Sequence, residues 1–193
     1  LLNCYNRLGY GHANHFFTIS AAYQSVPEER NLQISLESLP NTEIYYTLDG
    51  SQPIKSTSSL YKSAFRIDKS CVLRAVSYLS DGLSSDELRQ EIFVNKATFR
   101  PVRLLNAPSE RYQGENGRVL VDGIRSIKFH NTGLWVGNHS SDLSVVIDLE
   151  SLQSISSVEV SALTDLSAWI MGPQSISVFV STAVSYTHLT LPT

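Results

Sequence analysis

Charged side chains are scarce in this sequence. They make up 17% of its 193 residues, with a net charge of −3, against about a quarter in an ordinary soluble domain. Lys and Arg are scattered rather than grouped, so the basic footprint that nucleic-acid binding requires is missing. Long apolar runs are missing too. No stretch approaches the roughly 20 residues that a membrane-spanning helix needs, and no basic amphipathic helix is visible. Cysteine is limited to Cys4 and Cys71. Far apart and without CxxC or Cys/His spacing, they offer nothing to zinc or dithiol chemistry. They read as two unpaired small apolar residues, with a disulfide between them left open. Methionine occurs once, at Met171, so Leu1 is no initiator, and LLNCYNRLGY has neither the charged start nor the apolar core of a signal peptide. The expectation is an internal piece of a longer protein, long enough for one large or two small domains, two being favoured.

What the sequence does have is alternation. Leu32, Ile34 and Leu36 share one face of a predicted strand; residues 44–48 and 61–67 read as two more, and residues 71–79 as a fourth in which Cys71, Leu73, Ala75, Ser77 and Leu79 oppose Val72, Arg74, Val76 and Tyr78. Asp81-Gly82 marks a turn. SSDELRQEIFVNK carries both signals: Ser84 and Glu87 fit a capping box, yet IFVN is strand-like, and strand is favoured. Short strands divided by turn residues predict an antiparallel sandwich. Within it, EIYYTLDGSQP places Asp49 and Gly50 at a corner. Aspartate suits a turn because its carboxylate bonds the backbone a residue or two on, and glycine because the turn needs positive φ. No histidine or arginine lies within ten residues of Asp49, and the nearest other acid, Glu43, is six positions back, so a turn, and not acid–base chemistry, is expected there.

NKATFRP, residues 95–101, is polar and ends in proline, and a domain junction is expected at that point. Beyond it, RYQGENGRVLVDG and HNTGLWVGNHSSD are rich in Gly, Asn and Ser and read as loops. Strands are expected again at residues 143–149, 155–163 and 175–180, the last as an unpaired apolar edge. The second half is therefore all-β as well, with too few strands to close a jelly roll.

Three stretches carry a family resemblance. IYYTLDGSQP followed by SLYKSAFRIDKSCVLRAVSYLSDGLSSDE resembles the chitobiase/β-hexosaminidase C-terminal domain, a small immunoglobulin-like sandwich found behind glycoside hydrolase catalytic barrels. GRVLVDGI, GLWVG and DLSVVIDLESLQSISSVEVSALTDLSAWIMGPQSISVFVST are similar, in that order, to the discoidin or coagulation factor 5/8 type C fold. They stop where that family continues with an Asp-Gly turn and more strands. NRLGYGHANHFFTISAAYQ resembles the segment that joins this pair of modules to the catalytic region of bacterial family 20 glycoside hydrolases, the exo-β-N-acetylhexosaminidases. Residues 184–193, VSYTHLTLPT, look like a translated sequencing adaptor and are set apart from fold reasoning.

The resemblance implies an all-β chain: an immunoglobulin-like antiparallel β-sandwich followed by a truncated discoidin-like jelly-roll sandwich. Residues 1–22 would be a linker from a missing N-terminal catalytic barrel, 23–97 the chitobiase-type domain and 98–183 the partial discoidin domain. It implies a secreted, periplasmic or cell-surface parent that removes terminal N-acetylhexosamine from glycans or chitooligosaccharides by substrate-assisted hydrolysis, using an Asp-Glu pair. Asp86-Glu87 lacks the His-x-Gly-Gly stretch that precedes that pair and reads as solvated surface charge. No catalytic residue is therefore expected in this chain. An accessory region of another exoglycosidase such as an α-L-fucosidase, or a non-enzymatic glycan-binding adhesin, are the rival readings.

Binding candidates remain. His130, Asn131, Asn138 and His139 lie in a loop suited to hydrogen-bonding sugar hydroxyls. Asp122, beside Gly123, is the candidate ligand for a structural calcium of the kind discoidin-like carbohydrate modules often hold; no other cofactor is expected. His12 and His15, spaced for one helical face, have no third ligand nearby and read as linker packing. Trp135 and Trp169 have apolar neighbours, and core packing is favoured over sugar stacking. Asn138-His139-Ser140 also fits a glycosylation sequon, relevant only to a eukaryotic secretory protein.

Overall fold

A computed structural model describes residues 18–182 except 81, 126–129 and 140. The fold is all-β. Among the described residues nine strands run in the order β1 (Ser20–Val26), β2 (Asn31–Glu37), β3 (Glu43–Thr47), β4 (Ser59–Leu60), β5 (Phe65–Ile67), β6 (Cys71–Tyr78), β7 (Leu88–Ile92), β8 (Val102–Leu104) and β9 (Val145–Ile147). They form a three-stranded sheet β1-β2-β5, a four-stranded sheet β4-β3-β6-β7 and a two-stranded ribbon β8-β9. All these strand pairs are antiparallel.

The first two sheets share one core. Leu32, Ile34 and Leu36 of β2 and Ile67 of β5 meet Ile44 of β3, Leu73 and Ala75 of β6 and Ile92 of β7. Alternation puts them there, because a period of two sends every second side chain to the same face. Each fully buried Leu or Ile contributes about 1.5–3 kcal/mol relative to exposure. The two sheets are also joined by rings: Tyr46 of β3 stacks on Phe65 of β5 at 4.6 Å, and Tyr61 meets both edge-on. The Tyr61 hydroxyl accepts the Leu36 N–H. Cys71 is a free, half-buried thiol, its pKa raised by burial; Cys4 lies outside the described residues.

The ambiguous stretch 84–96 is strand at its centre, since Leu88–Ile92 pairs with Cys71–Ala75. Glu87 makes no capping box there: its carboxylate goes across to Arg74. Packing continues through 95–101, where the sequence marks a junction. Phe99 is 4% exposed and belongs to the core of the two sheets. The segment that follows Val121 docks along the outer edge of β7: Ile124 bridges Ile92, the Phe93 N–H donates to the Gly123 carbonyl, and the Phe99 N–H donates to that of Val121. Arg125 covers the Phe93 ring at 4.4 Å.

The chain divides into two compact units, up to Asp148 and from Leu149 on. In the second, two expected strands are not formed. Residues 155–163 and 175–180 carry no strand pairing, and Val158, Val160, Ile176 and Val178 are each more than half exposed. A strand exists only with a neighbour to take its backbone N–H and C=O groups, and among the described residues none runs alongside either segment. Among the described residues of this unit, Leu166–Ala168 forms a short turn capped by Asp165, whose Oδ1 accepts from the N–H groups of Ser167 and Ala168 and from the Ser167 hydroxyl. Among the described residues no helix is long and apolar enough to cross a membrane.

Candidate functional site

Asp49 sits just past the end of β3. Its Oδ1 accepts the Ser51 N–H at 2.9 Å and the Ser51 hydroxyl at 2.6 Å. These bonds, the hydroxyl's foremost, hold the carboxyl below its ordinary range. A carboxylate so engaged is a stable anion, poorly suited to trading protons near neutrality. Gly50 follows with φ 79°, lying against Val72 of β6. The backbone bonds alternate across the contact, Gly50 N–H to the Val72 carbonyl and Val72 N–H to that of Leu48. The corner is structural, as the sequence indicates, but it docks on β6 and does not lead straight into a returning strand.

Arg74 locks that corner. Its Nη1 donates to the Gly50 carbonyl at 2.9 Å, while Nε and Nη2 donate to the two oxygens of Glu87 at 2.8 and 2.6 Å. Glu87 is thus not simply solvated charge, as the sequence suggests, but one half of a forked ion pair, with both side chains about three-quarters buried. Asp86, its neighbour, is exposed. The Asp-Glu dipeptide therefore splits, with one member tied to a guanidinium and the other outward, and it makes no paired acid site.

Asp122 is the most perturbed acid. It is 5% exposed, and burial pushes its pKa up to about 7, with the Glu115 carboxylate adding to the rise and the Ile124 N–H opposing it. That N–H donates to Oδ1 at 2.7 Å, forming a turn within VDGI. Calcium takes six to eight oxygen ligands. Here Oδ1 is already engaged, Glu115 is the acid acting on Asp122, and among the described residues no three His, Cys, Asp or Glu side chains converge. Among the described residues, then, no side-chain cluster gathers acids around Asp122.

The His130 ring stands edge-on to Tyr112 at 6.4 Å. Asn138 donates from Nδ2 to the Asp142 carbonyl at 2.9 Å, and its Oδ1 is buried without a partner among the described residues. Asn131 and His139 are exposed. Gly137 ties this loop to Tyr112 by exchanging backbone bonds with Tyr112 and Ser109. Trp135 is half-buried, with its indole nitrogen enclosed. Trp169 overturns the core expectation: it is 86% exposed, in a left-handed conformation just past Leu166–Ala168. The reciprocal bonds between Asp165 and Ile170 pinch the chain there and leave the indole outside. His12 and His15 lie outside the described residues.

Sequence reasoning passed over Glu115, Asn116 and Arg118. Their neighbours Gly114 and Gly117 were legible as turn residues, but the conformation they impose is not. A Cβ on Gly114 would meet Val119 Cγ2 at 2.5 Å and Val136 Cγ2 at 2.6 Å, so any other residue there must push both valines aside.

Residues 33–92 match the protein family described as Fn3 associated. The match runs from β2 through β7, the body of the two-sheet sandwich. No curated protein matches the chain.

Proposed function

We propose that this chain is a non-catalytic accessory region of a secreted, periplasmic or cell-surface exo-β-N-acetylhexosaminidase. In this reading the sandwich is its chitobiase-type C-terminal domain, and the part beyond it is discoidin-like and contacts glycan. The observation that carries the reading is the state of its acids. In a sandwich whose residues 33–92 match an Fn3-associated family, Asp49 is bound to Ser51 and Glu87 to Arg74, so both serve the fold and neither is paired for hydrolysis. The glycan contacts are assigned to His130, Asn131, Asn138 and His139, with the buried acceptor of Asn138 the group most in need of a donor. A sugar hydroxyl supplies one.

Two assays test this. The chain should not turn over a chromogenic N-acetylglucosaminide, and it should bind glycans ending in N-acetylhexosamine on an array; turnover sinks the accessory assignment. Upstream coding sequence with a barrel and His-x-Gly-Gly-Asp-Glu supports the hexosaminidase parent. Sandwich modules alone would make the protein an adhesin.

A further inference from the structure

Four consecutive residues have positive φ: Gly114 at 48°, Glu115 at 50°, Asn116 at 58° and Gly117 at 88°. Left-handed backbone is costly for a residue with a Cβ, and glutamate has no local compensation for it. It persists when the surroundings enforce it, and such enforced strain gathers at binding sites. Here the flanking glycines enforce it: Gly114 is wedged against Val119 and Val136, and Gly117 against Leu104. Of the two residues held between them, Asn116 lines a cleft and Glu115 lines the more open pocket beside it.

That cleft has a volume of about 360 Å³, within the roughly 300–1,000 Å³ of small-molecule sites. It continues past Ser25, Asn116 and Arg118 into a more open one of about 490 Å³. Its apolar lining is Pro27, Phe99, Pro101, Val102 and Val121, and its polar lining is Gln24, Glu28, Arg100, Glu115, Asn116 and Arg118. Two carboxylates and two guanidiniums offset one another, so the cleft concentrates ions of neither sign. Among the described residues, the side chains of Gln24, Glu28, Asn116 and Arg118 make no hydrogen bond or ion pair. Carboxylates accept, guanidinium donates and amides do both, which is the set that satisfies hydroxyl groups, each of them donor and acceptor at once.

We propose that this cleft is a saccharide site for a neutral sugar, separate from the 130–139 loop. It rests on the reading of the chain as a glycan-handling region. The sugar's hydroxyls bond Glu115, Asn116, Arg118 and Glu28, and its C–H faces lie on the prolines and Val102.

The geometry supplies its own test, because glycine tolerates the φ of 115 and 116. The variant Glu115→Gly/Asn116→Gly removes both side chains while relieving the strain. The ¹⁵N-labelled full chain is titrated with N,N′-diacetylchitobiose, galactose and glucuronate, following amide shifts. The expected result is shifts at residues 24–28 and 115–118 with the neutral sugars, and affinity weakened about tenfold or more in the glycine variant with its Tm unchanged or raised. Undiminished binding by that variant overturns the proposal, as does a stronger response of the cleft to glucuronate. Shifts confined to 130–139 overturn the cleft and leave the glycan reading standing; no shift anywhere overturns both.

Discussion

Leu32 and Ile34 on β2, and Val158 and Val160 in the second unit, share one pattern, an apolar residue at every second position. The first pair is 0% exposed; the second is 53% and 54% exposed. Net polarity does not separate them, since both segments are short, alternate apolar with polar residues and carry a single glutamate each. What separates them is neighbours. β2 lies between β1 and β5 in register, so its backbone groups are paired and its apolar face is closed by the opposite sheet. Residues 155–163 have no such ladder among the described residues. Alternation chooses the face that would be buried; burial itself is a property of the set of strands.

Substitution sharpens this contrast most directly. Leu73→Ala, at a site 0% exposed, should cost about 2–5 kcal/mol in urea unfolding followed by circular dichroism, while Val158→Ala should stay within about 0.5 kcal/mol. Equal effects would break the comparison.

Next in size is a pH effect on the segment docked at β7. Asp122 has its folded pKa raised to about 7, against about 3.9 in an unfolded chain. The protonated form is therefore favoured by folding, and this stability is fully present below about pH 4 and lost as pH rises through about 7. Between pH 5 and 8 the loss should amount to about 2–4 kcal/mol. Asp122→Asn keeps an acceptor for the Ile124 N–H and should flatten the curve. A variant whose stability still fell over that interval would remove Asp122 as the cause.

Gly114→Ala follows, at about 1–3 kcal/mol, from overpacking against Val119 and Val136 at a left-handed site. Thermal unfolding measures it. The smallest effect is Arg74→Ala, a slight loss of stability from the partly exposed Glu87 pair and the Gly50 carbonyl bond, read as a small fall in Tm. A double-mutant cycle with Glu87→Ala should recover most of it.

Local patterns were the legible part. The β2 and β6 faces follow from periodicity, and the Asp49 turn follows from residue chemistry. The Arg74–Glu87 fork was not legible, because thirteen positions of chain separate its ends and only the β6–β7 register brings them together. Phe99 looked like part of a polar connector; the docked Val121 carbonyl and the core behind it decide otherwise. The perturbation of Asp122 depends on burial by segments distant in sequence, which composition does not encode. Trp169 misled for the opposite reason: Ile170 and Met171 beside it are apolar but do not enclose it.

The two tryptophans fall one to each unit, Trp135 half-buried before Asp148 and Trp169 almost wholly in solvent after it. The molecule thus carries two fluorophores in different surroundings. Iodide should quench Trp169 freely and Trp135 sparingly, and replacing either by phenylalanine leaves a single emission band belonging to one unit. Each unit's melting can then be followed by colour, within an intact chain and without an added label.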